Sequence, residues 1–157
     1  MPRPRSCRHT LTEASSIPTG GNQVEETPES RADAMYRADR TCQELGIRID
    51  SVAEGRATAH LRLPPAMVNG HGTAHGGYLF LLADVAFAYA CNTRGATTVA
   101  QAAQVVFLRP ASAGDELVAE AVERSRFGTN GIYDVAVRRT DGTVIAEFRG
   151  QSRSLPR

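Results

Sequence analysis

The chain has 157 residues, 18 of them basic and 17 acidic, for a net charge of +1. That balance excludes the charge excess that draws proteins to nucleic acid or to anionic membranes. The length predicts one domain, able to bury a core without metal or disulfide staples.

Cys7, Cys42 and Cys91 are odd in number, far apart and without a C-x-x-C pair. The pattern fits reduced thiols in a cytoplasmic protein better than a disulfide framework. No apolar run approaches the roughly 20 residues needed to cross a bilayer. Met1 to Arg5 open with positive charge, but Ser6 to Pro28 is polar and has no hydrophobic stretch, which argues against a secretory signal. Residues 1–30 are rich in Pro, Ser, Thr, Gly and Glu and are expected to be a disordered tail, with residues 31–153 forming a single domain.

In chain order, Ser30 is a candidate N-cap. Arg31 to Glu44 carries Ala34, Met35, Ala38 and Cys42 at helical spacing and stops at Gly46, predicting one amphipathic helix. Ile47 to Val52 and Arg56 to Leu63 alternate with period two around Glu54-Gly55, predicting a hairpin. Pro64-Pro65 ends the second strand, and a glycine-rich loop runs from Asn69 to Gly77. Tyr78 to Cys91 is the most apolar stretch, too short for a membrane span but suited to a helix (about 76–92) buried on nearly all sides. Segments 97–108, 116–125, 131–139 and 143–152 are rich in Val, Ile, Phe and Ala and predict four meandering strands. Pro110 to Asp115, Phe127 to Gly131 and Asp141-Gly142 separate them. The expected class is α+β, an antiparallel sheet wrapped around one long central helix.

Asp84 is the only charge between Tyr78 and Cys91. An ionised carboxylate buried without partners costs several kcal/mol, so it is either hydrogen-bonded to nearby backbone, Tyr78 or Tyr89, or kept as a perturbed catalytic base. Gly76 and Gly77 lie at the first turn of the same helix. There backbone N–H groups lack intrahelical acceptors, the dipole favours negative charge, and glycine permits close approach. Such a terminus can polarise a carbonyl and stabilise an oxyanion, although glycines there can also serve only the turn. Together with the buried acid, the pattern points to acyl chemistry. Three lookalikes fall away. Gly70-His71-Gly72 has His75 where a dinucleotide fingerprint needs its third glycine. His71-x-x-x-His75 lies in a loop, without the Glu of a zinc motif, and no Gly-x-Ser-x-Gly is present.

The segment Asn69-x5-His75-Gly76-Gly77-x6-Asp84 resembles the signature of hotdog-fold acyl-CoA thioesterases of the phenylacetate-degradation type. The similarity continues through Phe87 to Asn92, Phe107-Leu108-Arg109-Pro110-Ala111, Gly114-Asp115-x-Leu117, Gly131 to Val135 and Phe148-Arg149-Gly150. The resemblance implies a hotdog fold and hydrolysis of an aryl-acetyl or medium-size acyl-CoA, with no metal and no bound cofactor. It implies Asp84 as general base or nucleophile and Gly76 as oxyanion donor, with Gly77 among the residues that bind the substrate or CoA. His75 would orient the thioester carbonyl and Asn69 would lie near the attacking water, unless these two merely brace the loop. Gln101, or alternatively Gln104, would fill a polar position on the strand after the helix. Arg109 and Arg126 would meet the phosphates of CoA. The alternatives are a hotdog enoyl-thioester hydratase or dehydratase using His75, and a non-catalytic acyl-CoA-binding module, which would have no use for Asp84.

Gly76 and Asp84 are eight residues apart, hence about 12 Å along one helix axis. A thioester carbon must sit within roughly 3–4 Å of both the oxyanion donor and the water held by the base. One helix can hardly serve both roles. Two helices antiparallel about a two-fold axis can, predicting a homodimer as the minimal active unit; the resemblance implies a homotetramer, a dimer of such dimers.

Overall fold

The structure, a computed structural model, describes residues 26–156, so the expectation of a disordered tail falls almost wholly outside it. Helix α1, Pro28–Ala38, starts two residues before Ser30 because Thr27 caps it, accepting from the Ser30 amide at 3.2 Å, with proline in its first turn. The expected single helix is two. Asp39 leaves helical geometry and its carboxylate caps α2, Arg40–Leu45, by accepting from the Cys42 amide at 3.0 Å. A side chain offering a better bond at the break outweighs helical continuity. Gly46, at φ 72°, ends α2 as predicted. Burial and the neighbouring Asp39 carboxylate push the Cys42 thiol up to about 12.

Strands β1 (Arg48–Ala53) and β2 (Arg56–Arg62) form the expected hairpin. Helix α3, Gly76–Cys91, follows, and then β3 (Thr98–Phe107), β4 (Glu116–Phe127), β5 (Asn130–Arg139) and β6 (Val144–Ser154). All pairings are antiparallel in one six-stranded sheet of order β1-β2-β4-β5-β6-β3. The last four strands are therefore not the simple meander expected. After β3 the chain crosses from the sheet edge to its middle, and β3 pairs with β6. The Pro110–Asp115 segment is the crossing, not a hairpin. It is tied down by Ala74 N–H donating to Ala111 O (2.7 Å), Gly114 N–H to Leu63 O (2.8 Å) and Leu63 N–H to Asp115 O (2.9 Å).

The sheet curls around α3. Ala57, Ala59 and Leu61 of β2, Leu117, Ala119 and Ala121 of β4, Tyr133, Val135 and Val137 of β5, and Ala146 and Phe148 of β6 are all buried. The alanines on β2 and β4 allow close approach of the helix. Farther along, Phe87 of α3 meets Tyr133 edge-on at 5.4 Å and Phe148 at 5.8 Å. A Cβ on Gly150 would stand 2.9 Å from ring atoms of both Phe87 and Phe148, so glycine is what allows these rings to seat. Gly150→Ala is expected to cost about 1–3 kcal/mol by overpacking. Urea denaturation monitored by circular dichroism measures this; a midpoint equal to wild type would show that the rings give way freely.

Candidate active site

The loop before α3 is built to present the first turn of that helix. Pro65–Met67 makes a single 3₁₀ turn, and Val68 and Ala74 form an isolated bridge across the loop. Asn69 Oδ1 accepts from His71 N–H (2.9 Å), Thr73 N–H (3.3 Å) and the Thr73 hydroxyl (3.3 Å), while His75 N–H donates to Met67 O (2.8 Å). Asn69 thus braces the loop. His75 is the N-cap of α3: its Nδ1 accepts from Gly77 N–H at 3.4 Å, and its carbonyl accepts from Tyr78 N–H at 2.9 Å. The amide between them, Gly76 N–H, finds no acceptor among the described residues. One unsatisfied donor at a helix start, with the dipole behind it, is an anion-stabilising position.

Asp84 sits two turns further along α3. It is half-buried and takes part in no hydrogen bond or ion pair among the described residues; neither Tyr78 nor Tyr89 reaches it. Burial pushes its carboxyl above the ordinary value of 3.8. Half-buried Phe80, Leu81 and Ala88 share its side of the helix, whereas Leu82, Ala83, Ala86 and Phe87 on the sheet side are fully buried. The expectation of a helix buried nearly all round is thus corrected along one strip, and Asp84 is on it.

The remaining candidates divide by location. Gln101 is the extra residue of a β-bulge, since Ala100 pairs with Ser152 and Ala102 with Gln151. Bulges re-aim side chains and recur beside active sites. Gln104 lies in regular register opposite Arg149. Arg109 borders a cleft of about 340 Å³ at the start of α3, together with Gly76, and donates to Val144 O at 3.1 Å. Arg126 instead borders a cleft with Thr93 and Arg94, just past the other end of α3. Within one chain Gly76, Gly77, His75, Asn69 and Arg109 come together; Asp84 and Arg126 do not join them.

The family model described as Thioesterase superfamily matches residues 71–146. The chain is 44% identical over 124 residues to the acyl-coenzyme A thioesterase PaaI of Escherichia coli K12, covering 79% of this chain and 89% of that one. The chain belongs to the thioesterase superfamily. Its fold is the hotdog fold of that family: the solved structure of the E. coli PaaI protein superposes with a TM-score of 0.81 at 43% identity, covering 82% of this chain and 94% of that one. The phenylacetic acid degradation protein PaaI from Thermus thermophilus, solved in a mutant form, gives 0.72 at 37% identity, covering 74% and 100%.

In this member of the superfamily, one contact was not signalled by residue type. Phe107, at the end of β3, lays its ring tip against Gly76: a Cβ there would be 3.0 Å from Cζ and 3.2 Å from Cε2. Phe107 stands inside a family-like stretch, yet spacing alone could not bring it to the loop, because the β3 crossing does so.

The Asp84 environment carries a stability cost with a defined sign. The folded-state carboxyl titrates above the unfolded one, so ionisation opposes folding. The cost is absent below the unfolded value, grows as pH rises, and is complete above the folded value. Asp84→Asn is therefore expected to melt higher than wild type at pH 7, with the gap closing towards about pH 4. Calorimetry across that range tests it, and a variant less stable than wild type at pH 7 would reveal a hidden partner for the carboxylate.

Proposed function

We propose that this chain hydrolyses acyl-CoA thioesters to a free acid and CoA, at composite sites formed by two subunits. The observation that carries the reading is a pair of unsatisfied groups on one helix: the Gly76 amide without an acceptor and the half-buried Asp84 carboxylate without a donor. They are eight residues apart, about 12 Å along the axis, so each needs its counterpart from elsewhere. An antiparallel copy of α3 supplies both.

The surface left open supports that pairing. Strand β3 is a sheet edge, carries no charge from Thr98 to Phe107, and is exposed over most of its length. Val99, Val106, Phe107 and Leu108 are 42–50% exposed there. Such an edge invites strand pairing. The opposite edge, β1, bears Arg48 and Asp50 and has α1 against it. Pairing β3 with its copy about a two-fold axis brings the start of each α3 toward the middle of the other. It also carries Arg126 of one subunit toward Arg109 of the next, giving two cations for the CoA phosphates.

In the proposed step, Asp84 accepts a proton from water, whose oxygen attacks the thioester carbonyl carbon. The partner subunit's Gly76 N–H stabilises the resulting oxyanion, His75 orients the carbonyl, and Gln101 and Asn69 lie beside the water. The carbon–sulfur bond then breaks, and the thiolate leaves and takes up the proton. Direct attack by Asp84, through an anhydride that water then opens, uses the same groups. The raised carboxyl suits a base working near neutrality, better matched to proton uptake than a fully solvated aspartate.

An aryl-acetyl or medium-size acyl group is the proposed substrate class, supported by the E. coli relative, whose structure is described as coming from the phenylacetic acid degradation operon. A cytoplasmic location and a dimer of dimers complete the reading. In support of the former, no helix among the described residues is long and apolar enough to cross a membrane, and Cys42 and Cys91 are free thiols.

The experiment is thiol release from a panel of acyl-CoAs, with enoyl-CoA hydration measured in parallel. Wild type should release CoA, and Asp84→Asn should lose roughly 10²–10⁴-fold or more in kcat while remaining folded. Hydration without hydrolysis would replace the thioesterase reading, and an Asp84→Asn enzyme with half the wild-type turnover would remove the carboxylate from the mechanism.

A further inference from the structure

The ring of Phe107 occupies the one direction from which a side chain on residue 76 would project, with its Cζ 3.0 Å from that position. Phe107 is 50% exposed although it is large and apolar, so one side of the ring packs on the helix start and the other looks into the adjoining cleft. The cleft is about 340 Å³, and Ala74, Leu79, Leu108 and Pro110 line it with apolar surface. Arg109 is its one charged border residue, and that guanidinium already donates to Val144 O. With the CoA phosphates at Arg109 on the border, the amides of the pantetheine arm are ill matched to those apolar walls. The apolar end of an acyl thioester is the acyl group.

Resting on the thioesterase reading, we propose that Phe107 is the wall against which the acyl group lies, and that it determines which acyl sizes and shapes reach the Gly76 amide. A carbonyl oxygen bound at Gly76 N–H lies close to the ring tip, so the group attached to that carbonyl comes within reach of the ring. A flat aryl group can meet it edge to face, as aromatic pairs prefer. A long flexible chain must bend around it. Glycine at position 76 then has two uses: it bares the amide, and it lets the ring seat close to the reacting carbonyl.

The experiment compares wild type, Phe107→Leu and Phe107→Ala on acetyl, phenylacetyl and decanoyl thioesters of CoA, and on the same acyl groups carried by N-acetylcysteamine. Phe107→Ala should raise kcat/KM for decanoyl relative to phenylacetyl by about tenfold or more, the scale on which apolar pockets discriminate. Phe107→Leu should fall between, and both thiol carriers should show the same reordering. An equal factor for every acyl group, or a reordering seen only with CoA, overturns the proposal. Because Phe107 also stands on the β3 edge proposed to pair with a second copy, melting and oligomeric state are measured for each variant alongside its kinetics. Loss of folding in Phe107→Ala leaves Phe107→Leu to decide. A wild-type enzyme active on the panel with an unmoved ranking rejects the role of Phe107 alone, whereas a wild type inactive on every thioester rejects the parent reading.

Discussion

A sixteen-residue helix with a single charged side chain cannot remain in water, and the rest of the fold answers that demand. All six strands of the sheet touch it, placing small side chains where the helix lies close and aromatic rings where space remains. The alternation of buried and open positions along β2, β4, β5 and β6 follows from having the helix on one face only. Even the long crossing after β3 obeys the same constraint, since it covers the helix start and anchors itself to Ala74 and Leu63.

Coverage by a single sheet is incomplete, and the proposed chemistry lies where it fails. The strip holding Asp84 and the first turn holding Gly76 are the parts of α3 that the chain's own strands leave partly open. Both carry groups that a packed core would have to satisfy: an amide with no acceptor and a carboxylate with no donor. Holding Asp84 there opposes folding once it ionises, and such local conflicts with stability concentrate at functional sites. The uncharged β3 edge poses the same question at the level of the sheet. One pairing, edge to edge with a second copy, would cover all three.

Much of this is legible in the amino-acid sequence, for physical reasons that differ by element. Helix α3 and the β1–β2 hairpin stand out because periodicity and turn chemistry are local, and Asp84 stands out because a lone charge in an apolar run is rare. The break at Asp39 is hidden because Ala34, Met35, Ala38 and Cys42 keep helical spacing across it, while the cap that causes it is a single side-chain bond. The placement of β3 beside β6 is hidden because strand order depends on long-range pairing, which no local pattern encodes. Two site features follow that same crossing out of view. One is the Phe107 ring against Gly76. The other is the bulge at Gln101, which exists only in relation to β6. Arg109 and Arg126 both read as cations near strand ends, and only the fold separates them to opposite ends of α3.

The claim that each site draws on two subunits is tested most directly by complementation. Gly76→Val and Asp84→Asn subunits, each inactive alone, are mixed under conditions that allow exchange, and thiol release is measured. In a mixed dimer one site carries both lesions and the other carries neither. Statistical mixing should therefore restore activity to about a quarter of wild type. Absence of recovery, with heterodimers demonstrated by mass and both parents folded, would place Gly76 and Asp84 in the service of one chain and contradict the shared site.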